Sequence, residues 1–154
     1  MRLLFYSFTI LYTATLPSYN CEAQDSSPIS WTCQWNYVSG MKGTIAITAS
    51  LAPGWHLYSQ NIADGGPIPT RLEFLKSDDF DTVGKAEEHG KPFTYYDSLY
   101  EMSITTYAYE VAFLQKVSLN KPKATVKCNA AFMLCNDNQC IPAKESFTIP
   151  VSAN

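Results

Sequence analysis

Two runs of alternating apolar and polar residues flank a short polar segment near the carboxyl end of the chain. In residues 126–134 every second residue is apolar, and residues 147–151 repeat the pattern. A period of two is typical of strands with one buried face, and the polar residues 136–139 between the runs favour a turn. The sequence therefore predicts a β-hairpin.

Two cysteines, Cys135 and Cys140, bracket this turn. Continuing the period of two into the turn places both thiols on the polar faces of their strands, at opposed positions of an antiparallel pair. Opposed residues have Cα atoms about 4.5–5.5 Å apart, which a disulfide tolerates. We therefore expect a disulfide that can form and that faces the surface.

The short loop leaves three interpretations of this cysteine pair. Closing so short a loop removes little entropy from the unfolded chain, on the order of 2 kcal/mol, so the pair suits thiol exchange. A structural hairpin disulfide in a secreted domain is equally compatible with the spacing. A metal site is the weakest interpretation, because zinc needs four ligands at tighter spacings and neither His56 nor His89 is close in sequence. We expect no metal and no other cofactor.

Length and charge limit the other classes of protein. The 154 residues suffice for one domain with a real core, and the ten tyrosines and 14% aromatic content favour strands. The net charge of −3 argues against a nucleic-acid-binding surface and against a polybasic membrane patch.

The amino-terminal residues have the pattern of a secretory signal peptide. Arg2 supplies a positive charge, residues 3–16 are largely apolar, and Cys21-Glu22-Ala23 has small residues at both positions that a signal peptidase reads. We predict a signal peptide over residues 1–23 and a single exported domain over residues 24–154. Lipidation at Cys21 is not expected, because residues 18–20 lack the small-residue pattern of lipoproteins.

Export would leave four cysteines in an oxidising compartment. The period of two places Cys33 and Cys128 on core-facing sides of their strands. They could be bonded across the core or remain two buried thiols that pack like small apolar residues. We favour buried and chemically quiet thiols.

Alternating segments separated by turn residues recur along the chain. Strands are predicted at residues 29–38, 44–51, 71–75, 80–85 and 109–119, besides the hairpin. Residues 87–91 are polar and expected to be exposed, while residues 93–102 are aromatic without clean alternation. About seven short strands predict an all-β fold, an immunoglobulin-like antiparallel β-sandwich.

Four segments carry a resemblance to a known family. They are residues 53–60 (PGWHLYSQ), 65–70 (GGPIPT), 96–102 (YDSLYEM) and 133–142 (MLCNDNQCIP). In this order they resemble the N-terminal periplasmic domain of the thiol:disulfide interchange protein DsbD, in the form typical of Bacteroidetes. Two positions differ from the best-studied branch: four residues separate the cysteines rather than five, and Leu99 replaces a phenylalanine that shields the disulfide.

The resemblance implies a periplasmic thiol:disulfide oxidoreductase with an immunoglobulin-like fold. Cys135 and Cys140 would be the redox-active pair, and Cys140 would meet the partner. A cap loop would cover the pair, and two further side chains would line the site. The cap loop corresponds to Asp97, Ser98, Leu99 and Tyr100, and the lining side chains to His56 and Tyr58.

The resemblance also implies protein partners. Electrons would come from a membrane-embedded or thioredoxin-like donor and pass to thioredoxin-like periplasmic proteins, including factors of cytochrome c biogenesis. Since the sequence ends at Asn154, we expect a free-standing domain that draws its electrons from another protein. The alternative function is a non-catalytic secreted immunoglobulin-like module, with a structural disulfide and an aromatic surface that binds a protein.

Overall fold

The computed structural model describes residues 27–153, which contain eight β-strands and no helix. None of the described residues therefore forms a helix that could cross a membrane. The predicted signal peptide lies outside the described residues. The strands are β1 (Ile29–Ser39), β2 (Lys42–Leu51), β3 (His56–Tyr58), β4 (Arg71–Phe74), β5 (Phe80–Asp97), β6 (Met102–Leu119), β7 (Lys123–Cys135) and β8 (Cys140–Ser152).

All strand pairs are antiparallel and belong to one sheet that curls into a half-barrel. The strand order is β1-β2-β6-β3-β7-β4, with β5 added to β6 and β8 added to β7. The prediction of an all-β antiparallel fold is confirmed. The curl brings β1 into contact with β8.

The core is built from the alternating faces that the sequence predicts. On β2 the fully or nearly buried side chains are Ile45, Ile47, Ala49 and Leu51. The ring of Trp31 on β1 packs against rings from three other strands, with centroid distances of 5.1 Å to Phe132, 5.4 Å to Phe147 and 6.3 Å to Phe113. Apolar burial of this kind is the main favourable contribution to folding.

The β5–β6 hairpin is longer than the sequence predicts. The sequence predicts no strand over residues 87–102, because 87–91 are polar and 93–102 lack clean alternation, yet β5 continues to Asp97 and β6 begins at Met102. The pairing register shifts between Val83 and Glu87 and again between Gly90 and Pro92. Each shift interrupts the period of two, which is why the alternating pattern disappears over this stretch.

The side chain of Trp35 links β1 to β8. The indole of Trp35 lies across Gly43 of β2, and its Nε1 donates a hydrogen bond of 2.9 Å to the carbonyl oxygen of Ser152 on β8. A methyl group on Gly43 would fall on this indole and would lie 2.7 Å from the carbonyl oxygen of Asn36. The absence of a side chain at Gly43 therefore allows the ring to bridge β1 and β8.

Replacing Gly43 should consequently loosen this contact. We expect Gly43→Ala to lower the free energy of unfolding by about 1–3 kcal/mol, because the ring must leave its position. Urea denaturation measures the loss. The control is Gly40→Asn, at a turn position with φ of 57° and open space around it. Asparagine tolerates that conformation, so the control should cost less than about 1 kcal/mol. Equal losses in the two variants would contradict the proposed role of the indole.

Candidate functional site

The site is the disulfide at the turn end of the β7–β8 hairpin. Cys135 and Cys140 are opposed in the ladder and bonded, with Cα atoms 4.1 Å apart. The intervening turn is ordered by Asn136, whose Oδ1 accepts hydrogen bonds of 2.9 Å from the backbone N–H groups of Asn138 and Gln139. Its own N–H donates to the carbonyl oxygen of Gln139 at 2.9 Å. Asparagine side chains commonly stabilise turns in this way.

The two sulfur-bearing residues differ strongly in exposure. Cys140 is exposed, whereas Cys135 is only 2% exposed. The prediction that both thiols face the surface is therefore wrong for Cys135. The period of two assigned it to the correct face of β7, opposite Leu134, but other side chains cover that face.

A second apolar cluster, separate from the main core, buries Cys135. Its buried members are Cys135, Tyr58 and Ile104. Five partly buried side chains pack against them from β5, β6, β7 and two loops. They are Ile62, Tyr95, Tyr100, Met102 and Met133. This end of the sheet is therefore covered on both faces, which explains why Leu134 and Cys135 are both buried.

The segment corresponding to the cap loop is the turn between β5 and β6. Asp97 shapes it, since its Oδ1 accepts hydrogen bonds from the N–H groups of Leu99 at 2.8 Å and Tyr100 at 3.3 Å. Ser98 is exposed within the turn. Tyr100 packs against the cluster around Cys135, but Leu99 is 82% exposed. Tyr100 is thus the side chain of this turn that contacts the buried cluster.

His56 and Tyr58 lie on the same face as Cys135. His56 is the register partner of Cys135, and the rings of His56 and Tyr58 meet edge-on at 5.6 Å. Burial lowers the pKa of His56, although the charge of Asp137 opposes this effect. Burial, together with smaller effects of Tyr95, Tyr100 and Asp97, raises the pKa of Tyr58 to about 12. At neutral pH the site therefore holds a neutral imidazole and a protonated phenol.

Glu88 on β5 anchors a segment of the site by hydrogen bonds, and no pattern in the sequence indicates this role. Its carboxylate accepts hydrogen bonds from Ser59 Oγ at 2.7 Å, the Gln60 N–H at 2.5 Å, Asn61 Nδ2 at 3.3 Å and Tyr107 OH at 3.1 Å. Burial, and then the charge of Glu88, raise the pKa of Tyr107 to about 12. Residues 59–61 connect Tyr58 to Ile62, so this carboxylate fixes the segment that carries two members of the cluster.

An aromatic groove of about 390 Å³ adjoins the disulfide end of the sheet. Its ring-bearing lining residues are Trp55, His56, Phe93, Tyr95 and Tyr109. Phe93 and Tyr109 are largely exposed, and Tyr109 has a φ of 68°, which is uncommon for an aromatic residue. Within residues 27–153 there is no cluster of three or more His, Cys, Asp or Glu side chains that could hold a metal ion.

The hydrogen bonds of Glu88 predict a specific sensitivity. Glu88→Gln replaces one acceptor oxygen of the carboxylate with an NH2 group, which would face hydrogen-bond donors. We therefore expect the free energy of unfolding to fall by about 2 kcal/mol. Glu87→Gln is a matched control, because its exposed carboxylate meets only Lys116 and His89 at the surface. That control should change stability by less than about 0.5 kcal/mol. A Glu88→Gln variant as stable as the control would refute this role.

The pKa of His56 predicts a pH dependence of stability. Burial lowers the pKa of His56 in the folded chain below the ordinary value of about 6.5, so the unfolded chain takes up the proton first as the pH falls. The contribution of neutral His56 to the free energy of unfolding is therefore present above about pH 6.5 and is lost as the pH falls through the pKa of His56 in the folded chain. Urea titrations at pH values from about 7.5 to about 5, on both sides of about 6.5, measure this loss. The free energy of unfolding should fall less steeply with decreasing pH in His56→Gln than in the native chain. A decline as steep in His56→Gln as in the native chain would contradict this role of His56.

Comparisons with known proteins agree with this geometry. The sequence profile of the family "Thiol:disulfide interchange protein DsbD, N-terminal" matches residues 29–152. None of the curated proteins compared with the chain matches it.

Two solved structures share the fold. The N-terminal periplasmic domain of ScsB from Proteus mirabilis has a TM-score of 0.59 at 19% identity, over 82% of this chain and 47% of that one. This chain thus spans about half the length of that protein chain. The reduced N-terminal domain of DsbD from Neisseria meningitidis has a TM-score of 0.53 at 12% identity, over 80% and 86% of the two chains. The immunoglobulin-like fold is confirmed, and the profile match over most of the sequence shows that the chain belongs to the family of DsbD N-terminal domains.

Proposed function

We propose that the chain is a periplasmic thiol–disulfide exchange domain that passes electrons between thioredoxin-like proteins through Cys135 and Cys140. One observation carries the proposal. In a domain of this family, an ordered turn presents a disulfide with one exposed and one buried cysteine. Such an arrangement gives a partner access to one sulfur and keeps the other close by to complete the exchange.

The exposure of Cys140 supports the following order of events. In the reduced domain the Cys140 thiolate attacks a disulfide of the partner, forms a mixed disulfide and releases one partner thiol. Cys135 then loses its proton and attacks the Cys140 sulfur, which re-forms the intramolecular disulfide and releases the second partner thiol. Two electrons pass to the partner. Reduction of the domain by a donor follows the same steps in reverse.

The surroundings of Cys135 oppose exchange in the isolated domain. A thiolate at Cys135 would lie in an apolar cluster, where burial disfavours charge. The turn contains Asp137 and no cationic side chain, so nothing within it stabilises a thiolate. A partner that displaces Tyr100 and the β5–β6 turn would admit solvent and its own dipoles. Exchange would therefore depend on docking.

Exposed apolar side chains on the β5–β6 hairpin suit a protein partner. Leu99, Tyr96 and Phe93 expose large apolar areas on the β5–β6 hairpin, and the aromatic groove continues this surface. Exposed apolar and aromatic patches are typical of protein interfaces. We propose that this surface binds a thioredoxin-like acceptor, such as one of cytochrome c biogenesis. The donor would be a membrane-embedded or thioredoxin-like protein. The predicted signal peptide would deliver the domain, residues 24–154, to the periplasm.

Single-cysteine variants test the assignment of Cys140. We expect Cys135→Ala to accumulate a stable mixed disulfide with a thioredoxin-like protein, because no second thiol remains to release the partner. Non-reducing electrophoresis followed by mass spectrometry identifies the adduct. Cys140→Ala leaves only the buried Cys135 and should trap at least about tenfold less, since exchange rates depend on access to the sulfur. Equal trapping by the two variants would reject this assignment.

The reduction potential separates exchange from the alternative function. Equilibration against glutathione or dithiothreitol should give a value between roughly −270 and −180 mV, within the range of thioredoxin-like donors and isomerases. Its position in that range also indicates the direction of electron flow. A value below about −300 mV would identify a structural disulfide in a non-catalytic binding module, and the exchange proposal would fail.

A further inference from the structure

Two cysteines outside the exchange site remain as free thiols in the structure, Cys33 on β1 and Cys128 on β7. The expectation that both are buried is correct for Cys128 and wrong for Cys33, which is exposed. Cys33 nevertheless lies on the core-facing side of β1, because its register partner is the fully buried Ile47. Since β1 is an edge strand, solvent reaches this face from its open side.

Contacts on both sides of Cys33 fix the part of the sheet that it faces. Two residues before it, Trp31 packs on Phe147; two residues after it, Trp35 donates to the carbonyl oxygen of Ser152. The β1 segment that contains Cys33 therefore crosses β8 between Phe147 and Ser152. Phe147 is the register partner of Cys128 on β7. This places both thiols on the same side of the core, where β1 meets the β7–β8 hairpin.

Cys128 has no strong competing interaction. Its thiol makes a long contact of 3.8 Å with the carbonyl oxygen of Asn129 and also meets the backbone of Glu73. Burial raises its pKa to about 12, and the Cys33 thiol contributes to this shift in the same direction.

We propose that Cys33 and Cys128 form a second disulfide, which joins β1 to β7 near the contact between β1 and β8. This bridge is distinct from the Cys135–Cys140 pair and does not depend on the proposed exchange function. We assign it as a structural link because it would tie two strands that lie far apart in sequence, where a disulfide removes the most entropy from the unfolded chain.

The bond forms at the expense of a disulfide oxidant, such as oxidised glutathione. The accessible Cys33 thiolate attacks one sulfur of the oxidant, which gives a mixed disulfide and one released thiol. Cys128 then loses its proton and attacks the Cys33 sulfur, and the second thiol leaves. The protein loses two hydrogens and two electrons, which the two released thiols carry. Burial raises the pKa of both cysteines, so the bond should form slowly at neutral pH.

Peptide mapping of the full chain after incubation with oxidised glutathione tests the proposal. Digestion without reduction should yield one fragment that joins the Cys33 and Cys128 peptides, separate from the fragment that contains Cys135 and Cys140. The map reads each pair independently, so failure of this bridge is distinguishable from failure of the exchange proposal. The proposal is overturned if Cys33 is recovered bound to glutathione or to a second chain while Cys128 remains a free thiol.

Two variants serve as controls. Cys128→Ala cannot complete the bridge, so it should accumulate the glutathione adduct of Cys33 that the native chain resolves. Equal adduct levels in both proteins would overturn the proposal even if the variant were destabilised. Cys33→Ser changes an exposed side chain and should fold. The oxidised native chain should melt roughly 10 °C above this variant, because the bridge would close a long loop; equal melting temperatures would argue against the bridge.

Discussion

The pairing register of β7 with β8 determines where the disulfide lies and what surrounds it. The ladder runs without a shift from Lys123 opposite Ser152 to Cys135 opposite Cys140. Because side chains alternate between faces, a slip of one residue would turn one cysteine towards the main core and away from its partner. The hydrogen bonds of Asn136 fix the turn that closes the ladder. The geometry of the sulfur atoms is thus a property of the entire hairpin.

The alternating pattern predicts the faces of the strands but not whether each face is covered. It identified the hairpin and the opposed positions of Cys135 and Cys140. It could not show that Tyr100, from a hairpin distant in sequence, would help to bury Cys135. The opposite error occurred at Cys33, whose face is the core side but whose strand is at an edge. Both differences depend on which side chains from other strands cover a face, and no local period encodes this.

Glu88 shows a different limit of sequence reasoning. Its stretch has the composition of an exposed segment, and the neighbouring Glu87 is indeed exposed. Only the tertiary structure brings the Glu88 carboxylate to Ser59, 29 residues away in sequence. The fold class was predictable because many strands contribute to the same alternating signal. A single partly buried acceptor contributes no periodic signal, so it can be found only once the strands are in place.

The two prolines of β8 have a consequence for self-association. Within the described residues, β8 pairs only with β7, so its other side is a sheet edge that begins at the exposed Cys140. Pro142 and Pro150 lack an N–H, and each fits the ladder only with its nitrogen facing away from β7. The outer edge therefore lacks a donor near each of its ends, which hinders the addition of a strand from another copy. The chain can therefore expose the Cys140 sulfur without exposing a strand edge that pairs readily with another copy. This lowers the risk of aggregation at the position where a partner must approach.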